Sequence, residues 1–133
     1  MSCLLDTSAY SAIWVGKDEA VLEIFRSAER LHISPVTLGE LRSGFKKGTR
    51  EADNLRLLEN FLSSRRVNEI TISSRTSERY AAIQDSLRRK GKPIPTNDIW
   101  IAASAMELGV PVVTRDRHFQ WIDQILVWPQ AEG

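Results

Sequence analysis

Five short apolar runs punctuate this chain, and none is joined to the next by a two-residue hairpin turn. Cys3-Leu4-Leu5, Leu31-His32-Ile33, the loosely alternating Val67 to Ile72, Val110 to Thr114 and Ile125 to Val127 read as strands. Helical crossovers separate them, and such runs are too short to fold back on themselves. A parallel sheet covered by helices on both faces follows. The expected fold class is therefore α/β.

The intervening stretches carry helical signatures. Val21, Ile24, Phe25 and Ala28 follow helical spacing between Glu19 and Ala28. Ser34-Pro35 restarts a helix, with serine as cap and proline in the first turn; Leu38, Leu41 and Phe45 form its stripe, and it ends near Gly48. Leu55, Leu58 and Leu62 mark another helix, and Ser73 or Ser74 caps one carrying Tyr80, Ile83 and Leu87. The breaker GKPIP, Gly91 to Pro95, precedes an almost wholly apolar helix that Thr96 caps and Gly109 closes.

A chain of 133 residues fits one domain, expected to span residues 1–133, and can bury its own core. The formal net charge of +1 announces no polyanionic partner, so any nucleic-acid contact has to come from a local patch. No apolar run approaches a membrane span, and MSCLLDTS lacks the order of a secretory signal, so a cytoplasmic location is expected. The single cysteine, Cys3, reads as a small buried side chain.

Four carboxylates stand without an evident cation. Asp6 and Asp116 fall at or just beyond strand ends, the rim where open α/β sheets bind ligands. Glu40 has Val36, Thr37, Ser43 and Gly44 as helical neighbours, and Asp98 has Ile101 and Ala102. Each has a plainer explanation: a helix cap for Asp6, the helix dipole for Asp98, a turn paired with Arg115 or Arg117 for Asp116, and a solvated face for Glu40.

Together they say more, because buried carboxylates repel one another unless a cation compensates them. Oxygen-only ligands suit Mg²⁺ or Mn²⁺, whereas zinc wants His and Cys, which are scarce here. Phosphate-binding glycine loops and a G-x-S-x-G turn are absent from the sequence. His118 reads either as a base or as a structural or solvated loop residue.

Asp6-Thr7-Ser8, then Ser34-x-x-Thr37-x-x-Glu40-Leu41-x-x-Gly44, then Asn97-Asp98-x-x-Ile101-Ala102-Ala103-x-Ala105, then Thr114-x-Asp116-x-x-Phe119 occur in that order. In this the chain resembles PIN-domain ribonucleases, specifically VapC-type toxins of bacterial toxin–antitoxin pairs. The resemblance covers essentially the whole chain and leaves all four acidic positions intact.

It implies an α/β/α sandwich with a five-stranded parallel sheet, Mg²⁺ or Mn²⁺ dependence, and endonucleolytic cleavage of RNA. It also implies a homodimer and neutralisation by a small cognate, VapB-like antitoxin. Asp6, Glu40, Asp98 and Asp116 become the catalytic quartet, with Thr114, Ser8 and Asn97 supporting. In this scheme Asp6, Asp98 and Asp116 hold one or two divalent ions while Glu40 helps position water.

An RNA substrate calls for cationic surface, and Arg65-Arg66, Arg75, Arg79, Arg88-Arg89-Lys90 and Lys92 offer it if they converge beside the acidic rim. Of these, Arg88, Arg89 and Lys92 are the named substrate-binding candidates. A solvated helix face is the plainer reading. Tyr10, Trp14 and Trp100 either stack on bases or pack, and Trp14 is also a candidate dimer contact.

Two other functions stay open on sequence. One is an acidic-cluster phosphatase or phosphotransferase with Asp6 as covalent nucleophile, against which Ser8 stands where a haloacid-dehalogenase-like site has a second aspartate. The other is a non-catalytic, metal-stabilised RNA-binding module.

Overall fold

The structure is a computed structural model that describes residues 1–130; the last three positions of the expected domain lie outside the described residues. The first strand, β1 (Ser2–Leu5), runs into α1 (Thr7–Val15) with Asp6 between them as N-cap. Asp6 Oδ1 accepts the Ala9 N–H at 2.8 Å, satisfying one of the orphan donors of the first turn. Gly16 closes α1 at φ 77°, a left-handed cap that side-chain-bearing residues rarely adopt.

The chain continues through α2 (Glu19–Ser27), β2 (Arg30–Ile33), α3 (Pro35–Lys47), α4 (Glu51–Leu62) and β3 (Val67–Glu69). Ser34 caps α3 by accepting the Val36 N–H at 3.1 Å, with Pro35 in the first turn, as the sequence leads one to expect. Then come α5 (Ser74–Lys90), α6 (Thr96–Leu108), β4 (Val112–Val113), a 3-10 turn (Arg117–Trp121) and β5 (Val127–Trp128).

All five strands are parallel, in the order β3-β2-β1-β4-β5. After β1 the chain builds outward through β2 and β3, then returns to the other side of β1 with β4. The switch point therefore lies between β1 and β4, where Leu5 pairs with Val113. Asp6 and Thr114 are the next residues along each strand.

Alternation along the strands divides the core into two. Cys3 and Leu5 on β1 and Val113 on β4 face a cluster containing Tyr10, Val21, Leu41 and Leu58, from α1 to α4. Leu4 and Val112 face the opposite cluster, with Ile83 and Leu87 of α5 and Ile99 and Ala103 of α6. Helices thus cover both faces, giving the expected α/β/α layers. Burying Ile99 or Ile101 contributes about 1.5–3 kcal/mol each, enough to anchor α6 firmly under the rim.

Several boundaries differ from expectation for identifiable reasons. Val110 was expected in a strand, but its N–H goes to Ala105 O at 3.1 Å, capping α6 beside Gly109 at φ 68°. Pro111 has no N–H to give, so the β4 ladder begins at Val112. The last strand is displaced to Val127–Trp128, and β3 stops at Glu69. Thr96 is the first residue of α6 instead of its cap; Pro95 occupies the cap position, with no side-chain bond there.

Cys3 is fully buried, and burial pushes its thiol up to about 11, which leaves it an inert core side chain. Among the described residues, no helix is long and apolar enough to cross a membrane.

Candidate active site

Asp6, Glu40, Asp98 and Asp116 line one cleft of about 250 Å³, together with Thr7 and Ser8. Four separate elements deliver them. Asp6 ends β1, Glu40 sits inside α3, Asp98 lies in the first turn of α6, and Asp116 follows β4.

Asp6 is only 4% exposed and is held on both oxygens. Oδ1 accepts Ser8 Oγ at 2.7 Å and Ala9 N at 2.8 Å, and Oδ2 accepts the Thr114 hydroxyl. Burial raises its pKa; the bonds from Thr114, Ala9 and Ser8 pull the other way, and the Asp116 charge adds to the rise. So enclosed a carboxylate is badly placed as a covalent nucleophile.

Ser8 and Thr114 weave the two strand ends together. Arg115 N donates to Ser8 Oγ at 2.9 Å, and Asp116 N donates to Thr114 Oγ1 at 2.8 Å. The loop bearing Asp116 is thereby referenced to Asp6 through two hydroxyls. Asn97, by contrast, is exposed and is not among the residues lining the cleft.

Asp116 caps the 3-10 turn, its Oδ1 accepting His118 N at 2.9 Å. The expected pairing of Asp116 with a flanking arginine is not what Arg115 does. Arg115 reaches Asp18 instead, Nε to Oδ2 at 2.6 Å and Nη2 to Oδ1 at 2.8 Å, and that pairing holds the Asp18 carboxyl below its ordinary range.

Asp98 is 8% exposed, and its pKa is pushed up to about 6, by burial first, then by the Asp116 charge; His118 opposes the rise and Glu40 adds to it. The helix dipole supplies about 0.3–1 kcal/mol at such a position. Desolvating an unpaired carboxylate costs several kcal/mol, so the dipole alone does not account for Asp98. Its Oδ2 is buried and finds no hydrogen-bond partner among the described residues.

Two further residues join the cluster: Thr7, to which the sequence assigned no role, and His118, read there as a base or as a structural or solvated loop residue. Thr7 Oγ1 donates to Glu40 Oε1 at 2.8 Å, holding a side chain that intrahelical neighbours leave unpartnered. His118 Nδ1 lies 3.0 Å from Asp116 Oδ1 and 3.4 Å from Asp98 Oδ2. Ligand atoms of Asp98, Asp116 and His118 all fall within 4.8 Å of one another, so a ring nitrogen stands beside the expected oxygen donors. The spacing Asp116-x-His118 at a helical turn was the available signal.

A divalent cation fits this donor set. Mutually repelling carboxylates, an orphaned buried Asp98 oxygen and a solvent-shielded imidazole nitrogen converge where a positive charge relieves all three.

Several of the basic residues have partners of their own. Arg66 Nη1 donates to Phe25 O at 2.9 Å and Ala28 O at 2.7 Å, finishing α2. Arg89 pairs with Asp85 at 3.0 Å, and Lys90 with Asp123 at 2.6 Å. Arg88 is exposed in the last turn of α5. Lys92 Nζ stands 5.1 Å over the Trp121 ring, whose centroid is 5.7 Å from that of His118, and so approaches the site through an aromatic contact.

Among the aromatic candidates, Tyr10 packs edge-on against Phe61 and Trp100 lies against Tyr80 at 4.3 Å. Trp14 remains 44% exposed.

Comparison with known proteins agrees with this fold. The family profile described as PIN domain matches residues 3–124. Ribonuclease VapC4 of Mycobacterium tuberculosis is 33% identical over 87 residues, 65% of this chain and 67% of that protein. Ribonuclease VapC5 of the same organism is 29% identical over 122 residues, 90% of this chain and 87% of that protein. The DNA-bound VapBC structure from Salmonella typhimurium superposes with a TM-score of 0.82 at 30% identity, covering 96% of each chain.

Proposed function

Because the chain belongs to the PIN-domain family, we propose that it is a metal-dependent endoribonuclease that hydrolyses RNA phosphodiester bonds, the toxin of a toxin–antitoxin pair. The observation that carries the reading is the convergence of four carboxylates from four elements on one cleft, with a buried Asp98 oxygen left unpartnered. Relatives named as ribonucleases, and neighbours solved as VapBC complexes, support the activity and a VapB-like antitoxin partner. Cytoplasmic location and a homodimer complete the proposal.

Asp98 and Asp116, with Asp6 beside them, would hold Mg²⁺ or Mn²⁺, and His118 stands within reach. Such an ion supplies positive charge that acidifies water and neutralises charge building on the phosphodiester. Glu40, oriented by Thr7, accepts a hydrogen bond from the attacking water and sets its line of approach. Asp6, fixed by Ser8, Ala9 and Thr114, holds the floor of the site rigid. Arg88, Arg89 and Lys92 are the proposed contacts to the RNA backbone, with Asn97 at the exposed entrance.

The test is incubation with tRNA, rRNA and mRNA in Mg²⁺, Mn²⁺ or chelator, followed by mapping of the cut ends. Metal-dependent cuts that disappear in folded Asp6→Asn and Asp98→Asn proteins are expected. RNA binding without turnover under every condition would leave the non-catalytic module standing instead.

A further inference from the structure

The 3-10 turn that Asp116 caps sends the His118 ring back toward the acids. Nδ1 is shielded from solvent, as is Asp98 Oδ2, and neither makes a hydrogen bond of acceptable geometry with any described residue. They face each other at 3.4 Å, with Asp116 Oδ1 at 3.0 Å from the same nitrogen. Trp121 lies against the ring at 5.7 Å, while the His118 side chain as a whole stays 39% exposed. The half-exposed ring thus keeps its buried Nδ1 facing the carboxylate cluster.

Separations of 3.0–3.4 Å are those of neighbouring corners of a coordination shell with bonds of about 2.0–2.2 Å. We infer that His118 Nδ1 is a direct nitrogen ligand beside Asp98 and Asp116, and that it biases the site toward first-row transition ions such as Mn²⁺ over Mg²⁺. The assignment rests on the proposal that this cleft holds a divalent ion.

The chemistry is one of donor hardness. Mg²⁺ favours oxygen and keeps several waters, so it loses little when an imidazole is replaced by water. A transition ion gains more from a nitrogen donor, and the two carboxylates retain the charge balance. His118 thus tunes which ion is held without supplying any of the negative charge.

Two measurements on the intact protein test this, with Mn²⁺ and Mg²⁺ alone as probes. Pulsed electron paramagnetic resonance of the Mn²⁺-loaded protein should show coupling to a directly bound ¹⁴N that vanishes in His118→Ala and persists in His32→Gln. Calorimetric titration should show His118→Ala weakening Mn²⁺ by about tenfold or more, and Mg²⁺ by less than about threefold. His118→Asn serves the same purpose if the alanine protein folds poorly.

Absence of ¹⁴N coupling in a wild-type protein that binds Mn²⁺ and cleaves RNA overturns the ligand role alone, leaving His118 as a shared ion-pair partner of the two aspartates. Equal losses for both ions overturn the selectivity. A wild-type protein that binds neither ion, and cleaves RNA in chelator, overturns this assignment together with the metal-dependent reading.

Discussion

Thr7 Oγ1 donates a 2.8 Å hydrogen bond to Glu40 Oε1, tying the first turn of α1 to the middle of α3 across 33 positions of sequence. Glu40 otherwise has no neighbour on its own helix to fix its orientation. A hydroxyl on the residue that follows Asp6 therefore sets the attitude of a carboxylate on another element.

Replacing Thr7 by valine keeps the shape and removes the donor. A hydrogen bond to a charged group is worth about 1.5–3 kcal/mol, and partial exposure places this one at the lower end. Thr7→Val is expected to fold, bind Mn²⁺ normally and cleave RNA about tenfold more slowly in kcat, while Thr7→Ser stays close to wild type. Equal kcat for valine and wild-type proteins would remove Thr7 from the machinery.

Asp98 makes the metal-free protein sensitive to pH. Its folded pKa of about 6 lies above the unfolded value near 4, so the folded state favours the protonated acid. That stabilisation is complete below about pH 4 and is lost as pH rises through about 6. Thermal melts in chelator should show Asp98→Asn more stable than wild type at pH 7.5 and nearly equal to it at pH 4. Added Mn²⁺ should raise the wild-type melting temperature at pH 7.5 by mass action, and raise that of the variant far less.

Asp18 does two jobs that substitutions can separate. It caps α2 through Val21 N at 3.2 Å and grips Arg115, whose N–H holds Ser8. Asp18→Ala should cost about 1 kcal/mol through the lost cap and lower the melting temperature by about 2–8 °C. Asp18→Asn retains a cap acceptor, so its melting temperature should stay near wild type while RNA cleavage falls because the Thr114 to Asp116 rim loses its brace. An asparagine variant with full activity would confine Asp18 to helix capping.

His32 gives a second pH signature, opposite in sign to that of Asp98. It is 8% exposed on β2, with Nδ1 3.0 Å from Asn68 Nδ2 on β3, and burial lowers its pKa, with Arg30 adding to the effect. Folding favours the neutral ring, so its contribution is present above the unfolded pKa near 6.5 and fades as pH falls below it. In an Asp98→Asn background, wild-type His32 should lose stability between about pH 6.5 and 5, and His32→Gln should flatten that loss in a chemical denaturation series.

Local signals carried much of the architecture. The Ser34-Pro35 start, the Gly109 stop and the spacing of apolar residues are short-range features with short-range causes, and they reappear in the structure as a cap, a left-handed residue and two buried faces. Strand limits did not, because Val110 surrendered its N–H to α6 and Pro111 had none, choices made only once helix and sheet meet. The basic residues show both cases: Arg89 pairs with Asp85 one helical turn away, which the spacing already offers, whereas the carbonyls that hold Arg66 and the Asp123 that pairs with Lys90 are partners that proximity along the chain does not reveal.

By itself, then, the sequence determined the parallel α/β layering and the four acidic positions, three at strand ends or a helix start and Glu40 within a helix, since periodicity and capping act within a few residues. Tertiary structure alone decided that Asp6 meets Thr114, that Thr7 orients Glu40, and that His118 Nδ1 enters between Asp98 and Asp116. The β1–β4 switch point joins segments more than a hundred residues apart, and only that closure sets which side chains share a cleft of low dielectric. There, distances of about 3 Å govern how strongly the charges act on one another.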